Sequence, residues 1–276
     1  MLLLLFILGL FIGSFLGVLV DRLPRNETAI KGRSRCEFCH KELRWFDLIP
    51  VLSFVSTKGK CRYCHKSLSL FYPIIEIFTG ILFGLTYIFL ISNFQFSIFN
   101  EFFNFQSLII NPLSLITLTY YLAIVSGFIV IFFTDLKYGV ILDKILLPLI
   151  IVVLVYLLIF NSQSLIPNLV SGISAFLFFL VVALGFKLIR RKEGMGGGDI
   201  KLAFTLGLFQ GFPKIILTLY LAFLTGAIVG IILILWKKKS PKSTFLPFGP
   251  FLILGALVGL FWGDLILPKL FPLLGF

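Results

Sequence analysis

Charge is what this chain has least of: Asp, Glu, Lys and Arg make up 13% of its 276 residues. Soluble domains carry roughly 25% charged and about 45–50% apolar residues, whereas 59% are hydrophobic here, which excludes an ordinary soluble globular class. Cysteine is also sparse. All four lie between Cys36 and Cys64, so they form one local unit and not a disulfide framework spread over the chain. Methionine is confined to Met1 and Met195, leaving few distal ligands for any haem. The first apolar run lacks a basic n-region and an Ala-x-Ala site, so it reads as a retained helix and not as a cleaved signal.

Apolar length is abundant. Mean hydropathy is +1.09, and Phe alone occurs 34 times. Runs of about 20 apolar residues cross the ~30 Å hydrocarbon core as helices, and such runs occur near 2–20, 73–92, 113–134, 145–160, 166–189, 200–212, 214–236 and 246–263. The expected fold is therefore an all-α polytopic membrane protein of about eight transmembrane helices. Its domains would be a first helix at 1–20, a small metal-binding loop domain at 21–72 and a membrane core at 73–276.

The net charge of +12 would suggest nucleic acid in a soluble chain. Here the positive-inside rule accounts for it, and no nucleic-acid partner is expected beside the lipid bilayer. Residues 21–72 hold 11 Lys and Arg, 135–144 hold 2, 187–201 hold 5 and 237–242 hold 4; only Lys214 and Lys269 lie elsewhere. The alternation places the N-terminus outside a prokaryotic cytoplasmic membrane and the cysteine loop inside. The Lys237–Lys239 run would mark orientation and meet anionic headgroups. The connection at 93–112, with Glu101 as its only charge, lies outside on this scheme and shows no chemistry.

The loop contains Cys36-Glu37-Phe38-Cys39-His40 and Cys61-Arg62-Tyr63-Cys64-His65. Two CxxC pairs 21 residues apart match the spacing of a four-cysteine zinc site. A segment of about 50 residues has too little core to fold well alone, so a metal cross-link makes physical sense. Arg35, Lys60 and Arg62 would offset the tetrathiolate charge. Each pair is also a CxxCH, the attachment signature of c-type haem, and two disulfides are a further reading. A cytoplasmic loop disfavours both. His40 and His65 read as solvated neighbours, although either could replace a cysteine.

Two carboxylates stand at span ends. Asp135 follows the apolar run Phe128–Phe133, and Asp199 ends Gly194-Met195-Gly196-Gly197-Gly198-Asp199. Taken singly, Asp199 reads as a helix N-cap and Asp135 as a partner of Lys137. Together they admit a coupled pair sharing one proton, in which the ionised carboxyl activates water and the protonated one polarises a peptide carbonyl. Glycines beside Asp199 would leave room for an extended substrate backbone. Lys201 could ion-pair with Asp199 or simply mark topology. Glu76, inside the second span, carries a functional or loop-bridging reading, and Asp143 reads as a helix N-cap.

With these motifs assembled, the chain resembles the prepilin peptidases, the type IV leader peptidase family of GxGD membrane aspartic proteases. The resemblance runs through Gly13-Ser14-Phe15-Leu16, Arg22-Leu23-Pro24, Ser34, the first cysteine pair, Trp45, Asp47-Leu48-Ile49-Pro50, Leu52-Ser53, Gly59-Lys60-Cys61-Arg62-Tyr63-Cys64, Tyr72-Pro73 and Glu76. It continues with Asp135 and Asp143, Gly194 through Leu202, and Pro247-Phe248-Gly249-Pro250. The chain departs from the pattern at Gly17, where many relatives have Asn, at Glu37 inside the first CxxC, and at Leu142 before Asp143.

The resemblance implies cleavage of the leader of type IV prepilins or pseudopilins at the cytoplasmic face. N-methylation of the new terminus with S-adenosylmethionine would follow. It implies Asp135 and Asp199 as catalytic residues. Gly196, Gly197, Gly198, Lys201 and Glu76 would position substrate, and Cys36, Cys39, Cys61 and Cys64 would bind zinc. A membrane metal transporter or sensor, or a secretion-complex scaffold, are the competing readings. A transporter should place its acidic groups near the bilayer midplane instead of its edge.

Overall fold

A computed structural model of the chain describes residues 1–28, 34–36, 38–95, 112–190, 196–236, 247–270 and 272. Glu37, Glu101, Gly194, Met195 and Lys237–Lys239 lie outside the described residues, and so does most of the 93–112 connection. The chain divides into two compact units, Met1–Val130 and Ile131–Phe276.

The first unit contains α1 (Leu2–Arg22), a 3₁₀ turn (Trp45–Leu48), the short α2 (Leu52–Ser56), α3 (Phe71–Gln95) and most of α4 (Pro112–Tyr138). α1 and α3 are apolar almost throughout, so little besides shape directs their pairing; in lipid, helices associate through close packing at small residues. Gly9 and Gly13 provide that closeness. A Cβ on Gly9 would fall 2.7 Å from Gly80 Cα, and one on Gly13 would fall 2.7 Å from Glu76 Cα. α1 closes on Arg22, whose charge complements the carbonyls of the last turn.

The second unit holds the end of α4, then α5 (Asp143–Phe160), α6 (Ser162–Arg190), α7 (Gly197–Gln210), α8 (Lys214–Trp236) and α9 (Gly249–Leu270). α7 is its centre, packing against α5, α6, α8 and α9. Gly207 of α7 meets Gly172 of α6, where a Cβ would lie 2.8 Å from Gly172 Cα. The Asn168 side chain ties the two helices by donating to the Leu208 carbonyl at 3.0 Å. Gln210 donates to the Ala256 carbonyl at 2.7 Å and accepts from Thr218, so one side chain links α7, α8 and α9. Phe179, Phe223 and Phe248 cluster with ring centroids 5.3–6.1 Å apart and anchor the start of α9.

Among the described residues, seven helices are long and apolar enough to cross a membrane, and no strand forms beyond two isolated bridges. The all-α polytopic expectation holds, with one correction. The segment expected near 200–212 is a helix of only 14 residues, about 21 Å long at 1.5 Å per residue and short of the ~30 Å core. Its buried residues are Asp199, Leu202, Ala203, Thr205, Leu206, Gly207 and Leu208, so protein encloses a polar-ended helix that lipid would not tolerate.

Candidate catalytic and metal sites

Asp135 lies in the last turn of α4 and Asp199 in the first turn of α7. They are 4% and 7% exposed, and their carboxyls are close enough to interact electrostatically. Ile141, in the connection from α4 to α5, packs against the first turns of α7 and α9: a Cβ on Gly198 would fall 2.8 Å from Ile141 Cβ, and one on Gly249 3.2 Å from Ile141 Cδ1. Asp199 is the third residue of α7, not its cap; the cap is Gly196, against which Asp199 Oδ2 lies. Lys137 lies over the Tyr138 ring, 5.4 Å from its centroid.

Gly249 is the residue that reasoning along the chain did not place at this site. It opens α9, and a Cβ there would fall 2.5 Å from Asp135 Oδ2. Among the described residues that oxygen is buried with no hydrogen-bond partner, so the fit rests on the missing side chain. The quoted motif Pro247-Phe248-Gly249-Pro250 was the available signal. Gly249→Ala is expected to displace the carboxyl, with a stability loss of about 1–3 kcal/mol from overpacking that a thermal melt checks.

The glycines before Asp199 separate into two kinds. Gly198 is filled around by Ile141, so packing inside the chain explains it. Among the described residues, Gly197 has nothing within 4 Å of its absent Cβ; it takes no left-handed conformation and is exposed. Lys201 does not reach Asp199: its Nζ pairs with both carboxyl oxygens of Asp143, at 2.8 and 2.9 Å. Asp143 is the first residue of α5 after the cap Leu142, so it also favours the helix N-terminus. Glu76, in the first unit, accepts the Val51 N–H at 2.8 Å and interacts with the Ser14 hydroxyl; it bridges loop to helix. Asp21 was overlooked at the sequence level. It is buried and accepts the Tyr72 hydroxyl at 2.6 Å, a link over 51 positions that no local pattern signals.

In the first unit, Cys36, Cys39, Cys61 and Cys64 converge, with all four sulfurs within 4.8 Å of one another. Cys36 Sγ and Cys64 Sγ are 3.9 Å apart, close to the ~3.8 Å edge of a tetrahedron with Zn–S bonds of about 2.3 Å. The donor set therefore fits a tetrathiolate metal. The backbone N–H of Lys66 favours the Cys64 thiolate, but desolvation and hydrogen bonds with Cys61, Cys39 and Cys36 outweigh it and push that thiol up to about 11. A metal must displace protons to bind, so its affinity rises with pH.

The doubled motif is a doubled structure. Cys36 N–H bonds the Lys41 carbonyl and His40 N–H the Cys36 carbonyl; Cys61 with Lys66 and His65 with Cys61 repeat the pattern, at 2.8–3.1 Å. The histidines close each knuckle with φ of 53° and 57°, the left-handed region. Both are exposed and stand outside the four-sulfur group. The CxxCH signature here is thus a matter of backbone conformation, since His enters that region more readily than most residues. His40→Gly and His65→Gly are expected to keep full metal content and to gain up to about 1 kcal/mol each. Metal analysis and a melt of the variants test this.

Around the knuckles, Asp47 pairs with Arg62 at 3.0 Å and accepts from Tyr63 at 2.9 Å, which raises the Tyr63 phenol. Lys41 and Lys66 lie over the rings of Tyr63 and Phe38 at 4.5 and 4.9 Å. These contacts hold the two knuckles to each other around the sulfurs.

Fold and site together define a class: a multi-pass membrane protein with the buried carboxyls of Asp135 and Asp199 at helix ends and a four-cysteine module. Residues 7–90 match the family model described as bacterial peptidase A24 N-terminal domain, and residues 122–231 match that of the type IV leader peptidase family. The chain is similar to a Stutzerimonas stutzeri protein named prepilin leader peptidase/N-methyltransferase, 30% identical over 285 residues, covering 94% of this chain and 89% of that protein. It is also 30% identical over 267 residues to the Bacillus subtilis (strain 168) protein of that name, covering 97% and 96%. The Pseudomonas aeruginosa protein of that name is 30% identical over 293 residues, covering 98% and 93%. No solved structure matches the chain. The chain belongs to the type IV leader peptidase family and is a multi-pass inner-membrane enzyme.

Proposed function

We propose that the protein is an aspartic endopeptidase that removes the leader of type IV prepilins or pseudopilins and then N-methylates the exposed terminus. The observation that carries this is the pair Asp135 and Asp199, buried at helix ends and within electrostatic reach of each other in a chain of this family. One ionised carboxyl takes a proton from water as its oxygen adds to the scissile carbonyl, and the protonated partner donates to the carbonyl oxygen. Collapse of the tetrahedral intermediate breaks the C–N bond, the amine leaving with a proton from the dyad. Burial keeps bulk water from competing for these hydrogen bonds.

Gly196 and Gly197 are the positions where substrate backbone lies beside the dyad. Gly197 supports this because neither its conformation nor any neighbour among the described residues requires glycine. Gly197→Val is expected to leave the melting temperature within a degree or two and to lower kcat/KM about 10²-fold through misplaced substrate. An unchanged rate would remove Gly197 from the site. Lys201 acts through Asp143, clamping α7 to α5 at the substrate's edge, and Glu76 fixes the cysteine loop.

Zinc in the four-cysteine site would cross-link the two knuckles, held by Cys36, Cys39, Cys61 and Cys64. S-adenosylmethionine would supply the methyl group to the terminal amine; this half of the function rests on the name of the relatives. The Lys and Arg distribution supports a cytoplasmic cysteine loop and an extracytoplasmic N-terminus. On this reading residues 1–20, 21–72 and 73–276 serve as first helix, metal module and peptidase core. Purified enzyme incubated with a prepilin, with and without S-adenosylmethionine, tests both halves by product mass. Loss of the leader is expected in each case, with one added methyl only when the donor is present; an intact prepilin would overturn the assignment.

A further inference from the structure

Among the described residues, one face of the cysteine module takes part in neither the metal site nor the packing of its helices. In the 3₁₀ turn Trp45–Leu48, residues three apart eclipse, so Trp45 and Leu48 share an edge, and they are 78% and 41% exposed. In α2, Leu52 and Val55 share a face by the same spacing and are 67% and 65% exposed. The intervening side chains serve the module itself. Phe46 lies under the Arg62 guanidinium at 4.8 Å, Asp47 holds Arg62 and Tyr63, and Phe54 packs on Gly59. Exposed Arg44 and Lys58 flank the four apolar residues.

The depth of this face is set by Glu76. Val51, in the turn between the two apolar pairs, donates its N–H to Glu76 Oε2 at 2.8 Å. Glu76 stands on α3 between Ile74 and Ile77, both exposed on a helix that crosses the membrane. Glu76 stands five positions beyond Phe71, where α3 begins, about 7.5 Å along the helix, so the turn is drawn down beside the membrane-crossing part of α3. Val51 adopts φ 60° to make the contact. That conformation is costly for a β-branched residue and persists only where the surroundings over-determine it.

We propose that Trp45, Leu48, Leu52 and Val55 form a membrane-docking face that lies in the interfacial layer of the bilayer. The four side chains enter the upper acyl region, while Arg44 and Lys58 meet anionic headgroups. An amphipathic indole favours that layer, and an apolar face flanked by cations is the composition of an interfacial segment. Continuity selects lipid over a protein partner: the face is fastened at the level of Ile74 and Ile77, which already belong to the lipid-exposed surface of α3. The cysteine module is then held against the membrane plane and does not project into water.

The full chain, reconstituted in vesicles containing anionic lipid, permits a direct test. Its three tryptophans are Trp45, Trp236 and Trp262, and the difference in emission between wild type and Trp45→Phe isolates Trp45. That difference signal is expected to be blue-shifted, to lose most of its intensity in lipid brominated near the headgroup, and to resist aqueous iodide. Quenching by iodide with no response to brominated lipid would overturn the proposal. A signal that becomes shielded only when prepilin is added would also overturn it, assigning the face to substrate. As a second variant, Leu52→Glu with Val55→Glu is expected to make Trp45 accessible to iodide at unchanged metal content; continued protection of Trp45 would count against lipid contact through α2.

Discussion

Asp135→Asn and Asp199→Asn, made one at a time, are each expected to lower leader cleavage by about 10²–10⁴-fold or more, the contribution typical of a positioned general acid or base. Asn keeps the shape of Asp and fits the same buried space, but it can neither take a proton from water nor deliver one to a leaving amine. In the proposed mechanism the two carboxyls act as one unit, so the double variant is expected to be little slower than either single variant. Additive losses would point to independent roles. The measurement is kcat/KM for a prepilin by product mass, with a thermal melt as a folding control. Retention of more than about a tenth of wild-type activity in either correctly folded variant would remove that aspartate from the proposed dyad.

Cys36→Ser combined with Cys61→Ser is expected to abolish metal binding and unfold the module. Among the described residues from 22 to 70 only Cys36, Pro50 and Cys61 are buried, so two of the three residues with any core character are sulfur donors. Structural zinc contributes roughly 10–16 kcal/mol in isolated finger peptides, comparable to the whole 5–15 kcal/mol stability of an ordinary domain. Bound zinc should fall from about one equivalent per chain to near zero, and limited proteolysis should cut between residues 38 and 70. The helices α1 and α3 pack through Gly9, Gly13 and Gly80, independently of the module, and should stay protected. A module that resists protease without metal would show that the ion pairs and ring contacts of Asp47, Arg62 and Tyr63 suffice.

What the sequence alone determined follows from properties that can be read in one dimension. Apolar run length identified the membrane class, and cysteine spacing identified the four-sulfur group, because a knuckle is a local turn repeated. The family was likewise legible in motifs that stand as continuous words. Pairings across the chain were another matter. That Asp135 and Asp199 come within electrostatic reach depends on α7 being centred among α5, α6, α8 and α9, which hydropathy cannot encode. Lys201 chose Asp143 over the nearer Asp199 because its side chain leaves the opposite side of α7, a consequence of helical rotation and of where α5 packs. Gly249 acquired its role from an unfilled space beside a carboxyl 114 positions away, and Glu76 from a strained turn laid along α3. Hydrophobic patterning selects which segments enter the membrane; only the close packing of their small residues decides which polar groups then meet.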